Sequence, residues 1–571
     1  MLHSRHSFKF LKLKHPEAFR LPLRHITPYI LHCTFRSLQR HLTTAPRRAS
    51  TSPAICLHRP SERDYAEFTN DSAGCQLLDG TTVFPQLLQQ VLERQLGRAV
   101  QPVFKTNINL LVGRYHQNFE FEDSVGTTYM ARFRFRKLIE ETSYFFTNDQ
   151  PSCLLTESEV ATLLFVAENT SIPVPQPILF DSQENNPIGA EYMVYRKLPG
   201  KRLADVWEDL TFEAKKAILF QLADFQSQLV TASRPLSKFG SFSLRLESNC
   251  SYRVTIGLTM QHHWWHGPLG EMDIDRGPWN EHHEFVLSAL HREQARFTRI
   301  AELMKNKEYS NMWYDELADT YGPDAILSSL EAARPLIPEL FLPPIPQESF
   351  LPHRPHPNFQ PLLHHPDLLT NILVDLSDDQ RTLSISGIID WERAAIIPSA
   401  FTLCIIPEII HGMDVETHPD DEEFPPEKGS ENWERRYQYY ENTQLRKFWR
   451  DQLRQRGPET GALADLEYWY KTAEWNPILR MVELLQNAHF WPPGAWRTLV
   501  LKTSLGWNTT MRRTSSFPCE ISSEKRARWI KGFENRNSEE NLRKWYGENM
   551  TYVMEVLADP KISEEREEEG W

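Results

Sequence analysis

Apolar and polar side chains alternate with a period of two along "YMARFRF" (residues 129–135), the pattern of a half-buried strand. "ESEVATLLFVAENT" (157–170) instead spaces its apolar residues at helical intervals, and "IPVPQPILF" (172–180) and "EYMVYRKL" (191–198) read as extended. A small α+β lobe is therefore expected from about residue 61 to 198. From "WEDLTFEAKKAILFQLADFQSQLV" (207–230) onward the period becomes helical. Two short apolar strands, "ILVD" (372–375) and "ISGIID" (385–390), interrupt it before it resumes through "WERRYQYYENTQLRKFWRDQL" (433–453) and "DLEYWYKTAEWNPILRMVELL" (465–485). The expectation is a second, larger and mainly helical lobe over 199–555, followed by an acidic tail at 556–571 that ends in "EEREEEGW".

Two polar runs, "PPIPQESFLPHRPHPNFQP" (343–361) and "THPDDEEFPPEKGSEN" (417–432), read as surface insertions on either side of the two strands. The 571-residue length fits two lobes with appendages. A net charge of −13, with no basic stripe interleaved with aromatics beyond the N-terminal arm, gives nucleic acid no electrostatic footprint. The seven cysteines form no C-x-x-C pair, which implies neither a zinc site nor a disulfide framework and points to a reducing compartment. The longest apolar stretch (394–410) contains two prolines and Glu408 and falls short of the roughly 20 residues a spanning helix needs, so no transmembrane segment is expected. The first fifty residues carry ten Lys and Arg against one acid, Glu17, and become rich in Ser and Thr toward "HLTTAPRRASTSPA". That is the composition of a mitochondrial transit peptide, so residues 1–60 are expected to form a transit or disordered arm and the protein to reside in the mitochondrion.

The chemistry concentrates in "HHPDLLTNILVD" (364–375) and "GIIDWE" (387–392). Phosphoryl transfer asks a protein for a base near the acceptor hydroxyl, oxygen ligands for Mg²⁺ and a cation on the phosphates. Asp367 lies in a loop after an apolar approach, where a carboxylate can reach a hydroxyl. Asn371 opens one strand and Asp390 ends the next, so a hairpin between them would bring both toward one metal. In the protein-kinase template the base and the metal-binding asparagine stand five positions apart. Asp367 and Asn371 stand four apart, so either the loop straightens and Asn371 reaches the ion, or the shortening abolishes catalysis.

Taken together, "HPDLLTNILVD" and "GIIDWE" resemble the aminoglycoside phosphotransferase family, a kinase-like fold that also houses choline and homoserine kinases. The resemblance continues through "ESEVATLLFVAENTSIPVPQPILFDSQENNPIGAEYMVYRKLPGKRLADVW" (157–207) and "DRGPWNEHHEFVLSALHRE" (275–293), and is nearest to the fungal altered-inheritance-of-mitochondria, phosphotransferase-like branch. It implies a bilobal protein-kinase-like fold, ATP and Mg²⁺ as cofactors, and a small hydroxyl-bearing molecule as acceptor. It also implies that Asp367 is the catalytic base, that His365 packs and orients its loop, and that Asn371 and Asp390 are the metal ligands. By the same resemblance Arg132 is the strand cation that contacts phosphate, and Glu159 is its helical partner. The nucleotide would be met by Gly113 in a glycine-poor loop and by the hinge main chain around Met193 and Tyr195.

Rival sites are weaker. His262, His263 and His266 in "QHHWWH" and His282 and His283 in "EHHEF" form no H-E-x-x-H helix and read as packing or surface histidines. Neither a G-x-S-x-G elbow nor a G-x-x-x-x-G-K-[ST] loop occurs. Two readings stay open at this level: an ATP-dependent phosphotransferase, and an inactive kinase-like module that binds nucleotide or a partner.

Overall fold

The computed structural model describes residues 57–60, 65, 74–103, 115–135, 152–247, 252–265, 267–309, 315–341, 359–368, 371–376, 383–402, 428–429, 433–471, 481–482, 484–485 and 493–506. The arm at residues 1–56, Gly113, His266, most of both polar insertions and the tail lie outside the described residues.

The small lobe is built on a five-stranded antiparallel sheet. Helix α1 (Pro85–Leu96) leads into β1 (Val100–Val103), followed by β2 (His116–Asp123) and β3 (Thr128–Arg134). Helix α2 (Ser152–Asn169), β4 (Pro177–Asp181) and β5 (Tyr192–Arg196) complete it, in the spatial order β1-β2-β3-β5-β4. The expected alternation in β3 is realised: Tyr129, Ala131 and Phe133 are all buried on one face, which leaves Arg132 and Arg134 to share the other. Helix α2 starts five residues before the "ESEVATLL" run and is covered on nearly every side, with Val160, Ala161, Leu163 and Val166 in the core.

The chain leaves this lobe through residues 197–200. Two-residue strand β6 (Lys201–Arg202) already pairs with the second lobe, aligning Arg202 with Leu373 and Lys201 with Val374. The crossing requires Gly200. Its φ is +105°, and an added Cβ would stand 2.4 Å from Ser386 Oγ and 2.6 Å from the Val374 carbonyl oxygen.

The second lobe contains α3 (Phe212–Ser233), α4 (His282–Asn306), α5 (Pro323–Ala333), α6 (Trp433–Gln455), α7 (Pro458–Lys471) and α8 (Pro493–Gly506), of which α3, α6 and part of α7 coincide with the helical stretches named from the sequence. Helix α4 starts at a capping box in which Glu281 and Glu284 exchange side-chain and backbone bonds. Lys215 of α3 and Glu441 of α6 form a buried pair at 2.7 Å.

This lobe holds more strand than its sequence period suggests. Strands β7 (Ser241–Leu246) and β8 (Tyr252–Gly257) form a hairpin, and Phe242 within it meets Phe165 of α2 with ring centroids 4.3 Å apart. Strand β9 (Pro361–His364) pairs with β12 (Ala395–Pro398), while β10 (Ile372–Leu376) lies between β6 and β11 (Leu383–Ile388). One continuous core then runs from Val160 and Met193 through Ile218 and Leu222 to Ile372, Ile388, Trp391 and Trp449. Such shared burial fixes the β10–β11 hairpin relative to the small-lobe sheet.

Candidate active site

Strands β10 and β11 pair with Ile372 opposite Ile388, and the Ile389 N–H continues the ladder by donating to the Asn371 carbonyl at 2.9 Å. Asn371 therefore stands one rung from Asp390 at the same end of the hairpin, as the spacing of the two apolar runs predicts. Leu369 and Thr370, between Asp367 and Asn371, lie outside the described residues, but two bonds join the segment's ends. The Asn371 N–H donates to the Leu368 carbonyl at 3.3 Å, and its Nδ2 donates to the Asp367 carbonyl at 2.8 Å. The asparagine side chain thus bonds back to Asp367 at the start of the short loop, which leaves Asn371 Oδ1 as the acceptor of that side chain.

His365 fixes the start of this segment. Its Nδ1 accepts from the Asp367 N–H at 3.2 Å, so Nε2 carries the proton and donates to the Ile389 carbonyl at 3.0 Å. Burial holds this imidazole below its ordinary pKa, and Trp391 packs edge-on against it at 4.7 Å. The Asp367 side chain emerges at an exposed position, while its backbone is tied to both the His365 ring and the Asn371 amide.

Arg132 on β3 joins the small-lobe helix to the end of the β10–β11 hairpin. Its Nη1 donates to Glu159 Oε1 on α2 at 2.7 Å and its Nη2 to Asp390 Oδ1 at 2.6 Å. Nη2 also lies 3.4 Å from Glu392 Oε2 and 3.0 Å from His116 Nδ1. Burial opposes charge on Asp390, but Arg132 outweighs it and holds the carboxyl below its usual range. Glu159 behaves oppositely: its deeper burial, reinforced by Asp390 and Glu392 and opposed by Arg132, pushes it up to about 7. Asp390 is thus the carboxylate that stays ionised. Its side chain is 42 % exposed and no described residue bonds its Oδ2.

Three participants carried no role in the sequence reading: Glu392, Arg134 and His116. Arg134 Nη2 meets Glu392 Oε1 at 2.7 Å, and His116 Nε2 meets Glu392 Oε2 at 3.3 Å. His116 is held well below its ordinary pKa, first by burial and then by Arg132, Arg134 and Arg393, so it serves as a neutral bridge between Arg132 and Glu392. The two-residue period of β3 puts Arg134 on the same face as Arg132, although Arg132 itself is assigned by resemblance. His116 sits opposite Arg134 in the β2–β3 register, which only the folded pairing reveals.

The hinge residues Met193 and Tyr195 lie inside β5, flanked by Arg132 and Met130 of β3 on one side and by Phe180 and Pro177 of β4 on the other. Their main chain faces neighbouring strands, and the Met193 side chain belongs to the core. Burial first, then Glu159 and Asp390, raise the Tyr195 hydroxyl to about 12 against the opposing effect of Arg132, which couples Tyr195 to the ionic cluster. The tryptophan–histidine segment is used in packing: Trp264 is fully buried against Trp279 at 5.0 Å, and His282 stacks on Phe359 at 4.8 Å. Among the described residues no cluster of His, Cys, Asp and Glu has the arrangement of a metal site by itself, and no helix is long and apolar enough to cross a membrane.

A small antiparallel lobe carrying helix α2 against its sheet, a single crossing strand and an acid–asparagine hairpin facing a strand arginine define a kinase-like phosphotransferase fold. Residues 113–420 match the phosphotransferase enzyme family, and the chain belongs to that family. Among curated proteins, it is 29% identical over 134 residues to a subtelomeric hrmA-associated cluster protein of Aspergillus fumigatus, covering 22% of this chain and 26% of the relative. It is 23% identical over 194 residues to altered inheritance of mitochondria protein 9, mitochondrial, of Candida tropicalis, covering 32% of this chain and 30% of that protein. The matches thus span between a quarter and a third of these relatives. Among solved structures, aminoglycoside phosphotransferase APH(4)-Ia aligns over 73% of this chain and 99% of its own at 13% identity and a TM-score of 0.33. A fructosamine-3-kinase-like structure from Thermobifida fusca aligns over 72% and 96% at 13% identity and 0.31.

Proposed function

We propose that the protein is an ATP-dependent phosphotransferase that phosphorylates the hydroxyl of a small molecule. The observation that supports this most is Arg132, which joins the α2 glutamate and Asp390 while Asn371 and Asp390 share one end of the β10–β11 hairpin. The donor set suits Mg²⁺, a hard cation that takes oxygen ligands. Asn371 Oδ1 and the ionised Asp390 carboxylate would hold it, and when bound it would supply positive charge against the phosphates.

In this reading the exposed Asp367 carboxylate accepts the proton of the acceptor hydroxyl. The acceptor oxygen bonds to the γ-phosphorus as the bond to the β-phosphate bridging oxygen breaks, and ADP leaves with that electron pair. His365 keeps the loop in place through one ring nitrogen on the Asp367 N–H and the other on the Ile389 carbonyl. Arg132, positioned by Glu159, supplies the fixed cation of the phosphate side, and Tyr195 borders it. Main-chain contacts to adenine would come from the chain beyond Arg196, since those of Met193 and Tyr195 face the sheet. Gly113 remains the candidate for approach to phosphate. The small nucleotide-binding lobe is assigned to 61–198 and the catalytic lobe to 199–555.

The test is thermal unfolding with ATP, with and without Mg²⁺. A ligand at one hundred times its dissociation constant stabilises the folded state by about 2.7 kcal/mol. Wild type should show a Mg²⁺-dependent rise in its midpoint that Asp390→Ala loses. A rise that persists undiminished in Asp390→Ala would remove Asp390 from the metal site.

We further propose that the protein acts in mitochondria, supported by the acid-poor basic arm and by the mitochondrial name of the Candida tropicalis relative. Deleting residues 1–50 should abolish mitochondrial accumulation of a tagged full chain. Unchanged accumulation would refute the targeting role.

A further inference from the structure

We propose that Glu392 is a positioning residue that holds the two lobes in register at the nucleotide site and keeps Arg132 in place when Asp390 turns to the metal. The inference rests on the phosphotransferase reading above and adds a residue to it.

Glu392 belongs to the second lobe, two positions beyond Asp390, yet most of its partners belong to the small-lobe sheet. Oε1 accepts from Arg134 at 2.7 Å and lies 3.3 Å from Arg393 Nε; Oε2 meets His116 at 3.3 Å and Arg132 at 3.4 Å. Both oxygens are occupied and the side chain is only 6 % exposed, so it has no lone pair turned toward a cleft ligand. Asp390 is the reverse case, with one oxygen on Arg132 and a substantially exposed side chain. Two acids two residues apart thus divide the work: one faces outward, the other is bound into the protein.

The backbone enforces the division. Asp390 and Arg393 adopt φ of 61° and 66°, uncommon for residues with a Cβ, so the four-residue segment turns back on itself at both ends. Between them Trp391 is anchored by its Nε1–H on the Ile388 carbonyl at 3.0 Å and by the His365 ring. Arg393 stacks over Tyr115, 4.8 Å from the ring centroid, which adds a second tie to the small lobe. Local strain of this kind persists only where surrounding contacts over-determine it.

The consequence concerns what happens when a cation draws on Asp390. Arg132 then loses its 2.6 Å partner, and Glu159 alone would leave Nη2 without a carboxylate. Glu392 and His116 already stand beside Nη2 and retain it. Misplacement of a reacting group by about 1 Å can cost on the order of a hundredfold in rate, so the collar of Arg134, His116 and Glu392 sets how well Arg132 meets the phosphates.

The experiment measures the Kd of Mg²⁺–ATP by calorimetry for the full chain as wild type, Glu392→Gln and His116→Asn, with the thermal midpoint recorded for each. Gln keeps the shape of Glu392 but loses its charge. Asn is too short to bridge, and leaves the ionic pairs intact if Glu392→Gln fails to fold. Both variants should weaken Mg²⁺–ATP by roughly tenfold, the size typical of coupling between linked sites, with additivity failing in the double variant. A merely structural role would lower the midpoint and leave the Kd of the folded protein unchanged; that outcome overturns the inference while the phosphotransferase reading stands. Loss in Glu392→Gln with His116→Asn at wild-type affinity also overturns it, because it would make Glu392 a direct ligand. Wild type that fails to bind Mg²⁺–ATP overturns the underlying reading itself.

Discussion

Arg132→Met is expected to destabilise the folded protein by about 3–5 kcal/mol, the cost of leaving buried charges without their partner. Arg132 lies among three carboxylates, two of which, Glu159 and Glu392, are each 6 % exposed. Neither can turn to water without opening the core. Arg132→Lys should recover only part of the loss, because an ammonium is a point charge and cannot bridge Glu159 and Asp390 as two arms of a planar fork do. Glu159→Gln in the Arg132→Met background should change stability little further, since burial favours the neutral Glu159 acid once Arg132 is gone. Denaturant midpoints for the three proteins check this. An unchanged midpoint in Arg132→Met would show that the pairs contribute nothing net.

The second large effect is on rate. Asp367→Asn is expected to lower phosphate transfer by roughly 10²–10⁴-fold, the usual contribution of a positioned general base. The fold should be little affected, because the segment is held by backbone groups: the Asp367 N–H on His365 and the Asp367 carbonyl on Asn371. Its midpoint should lie within about 0.5 kcal/mol of wild type, as for other exposed substitutions. The rise in midpoint with Mg²⁺–ATP should also be retained. Loss of that rise together with activity would place Asp367 in binding and not in proton transfer.

Much of the small lobe was legible because its elements state their period plainly. The β3 alternation specifies one buried face and leaves Arg132 on the other, and the apolar run of α2 marks a helix covered on nearly every side whose Glu159 meets Arg132. The β10–β11 hairpin was legible for the same reason. Strands β7, β8, β9 and β12 were not assigned. "SFSLRL" ends in four residues that are half-buried or exposed, and "PLLH" is four residues long beside a proline-rich run, too short for a period to register. "YRVTIG" does carry Tyr252, Val254 and Ile256 at period two, a signal masked by the helical stretches around it.

The site shows the same boundary between local and non-local information. Spacing brought Asn371 and Asp390 to one end of a hairpin, since both belong to adjacent strands. It could not show that the Asn371 amide bonds back to the Asp367 carbonyl. Nor could it show that Glu392 meets Arg134 and His116, residues more than 250 positions away that are placed by sheet register and lobe packing. The hinge shows the converse difficulty: "EYMVYRKL" marks an extended segment, but whether Met193 and Tyr195 offer their main chain to a ligand depends on β4 pairing along the far side.

The central claim is that this cleft transfers phosphate as well as binding nucleotide. It is tested most directly by incubating the wild-type chain with Mg²⁺, ATP labelled at the γ-phosphate and a metabolite extract, then following the label by chromatography and mass spectrometry. The prediction is a Mg²⁺-dependent, phosphorylated small molecule that does not form with Asp367→Asn. A wild-type protein whose midpoint rises with Mg²⁺–ATP, yet which moves no label into any small molecule, would contradict it and leave a nucleotide-binding module in its place.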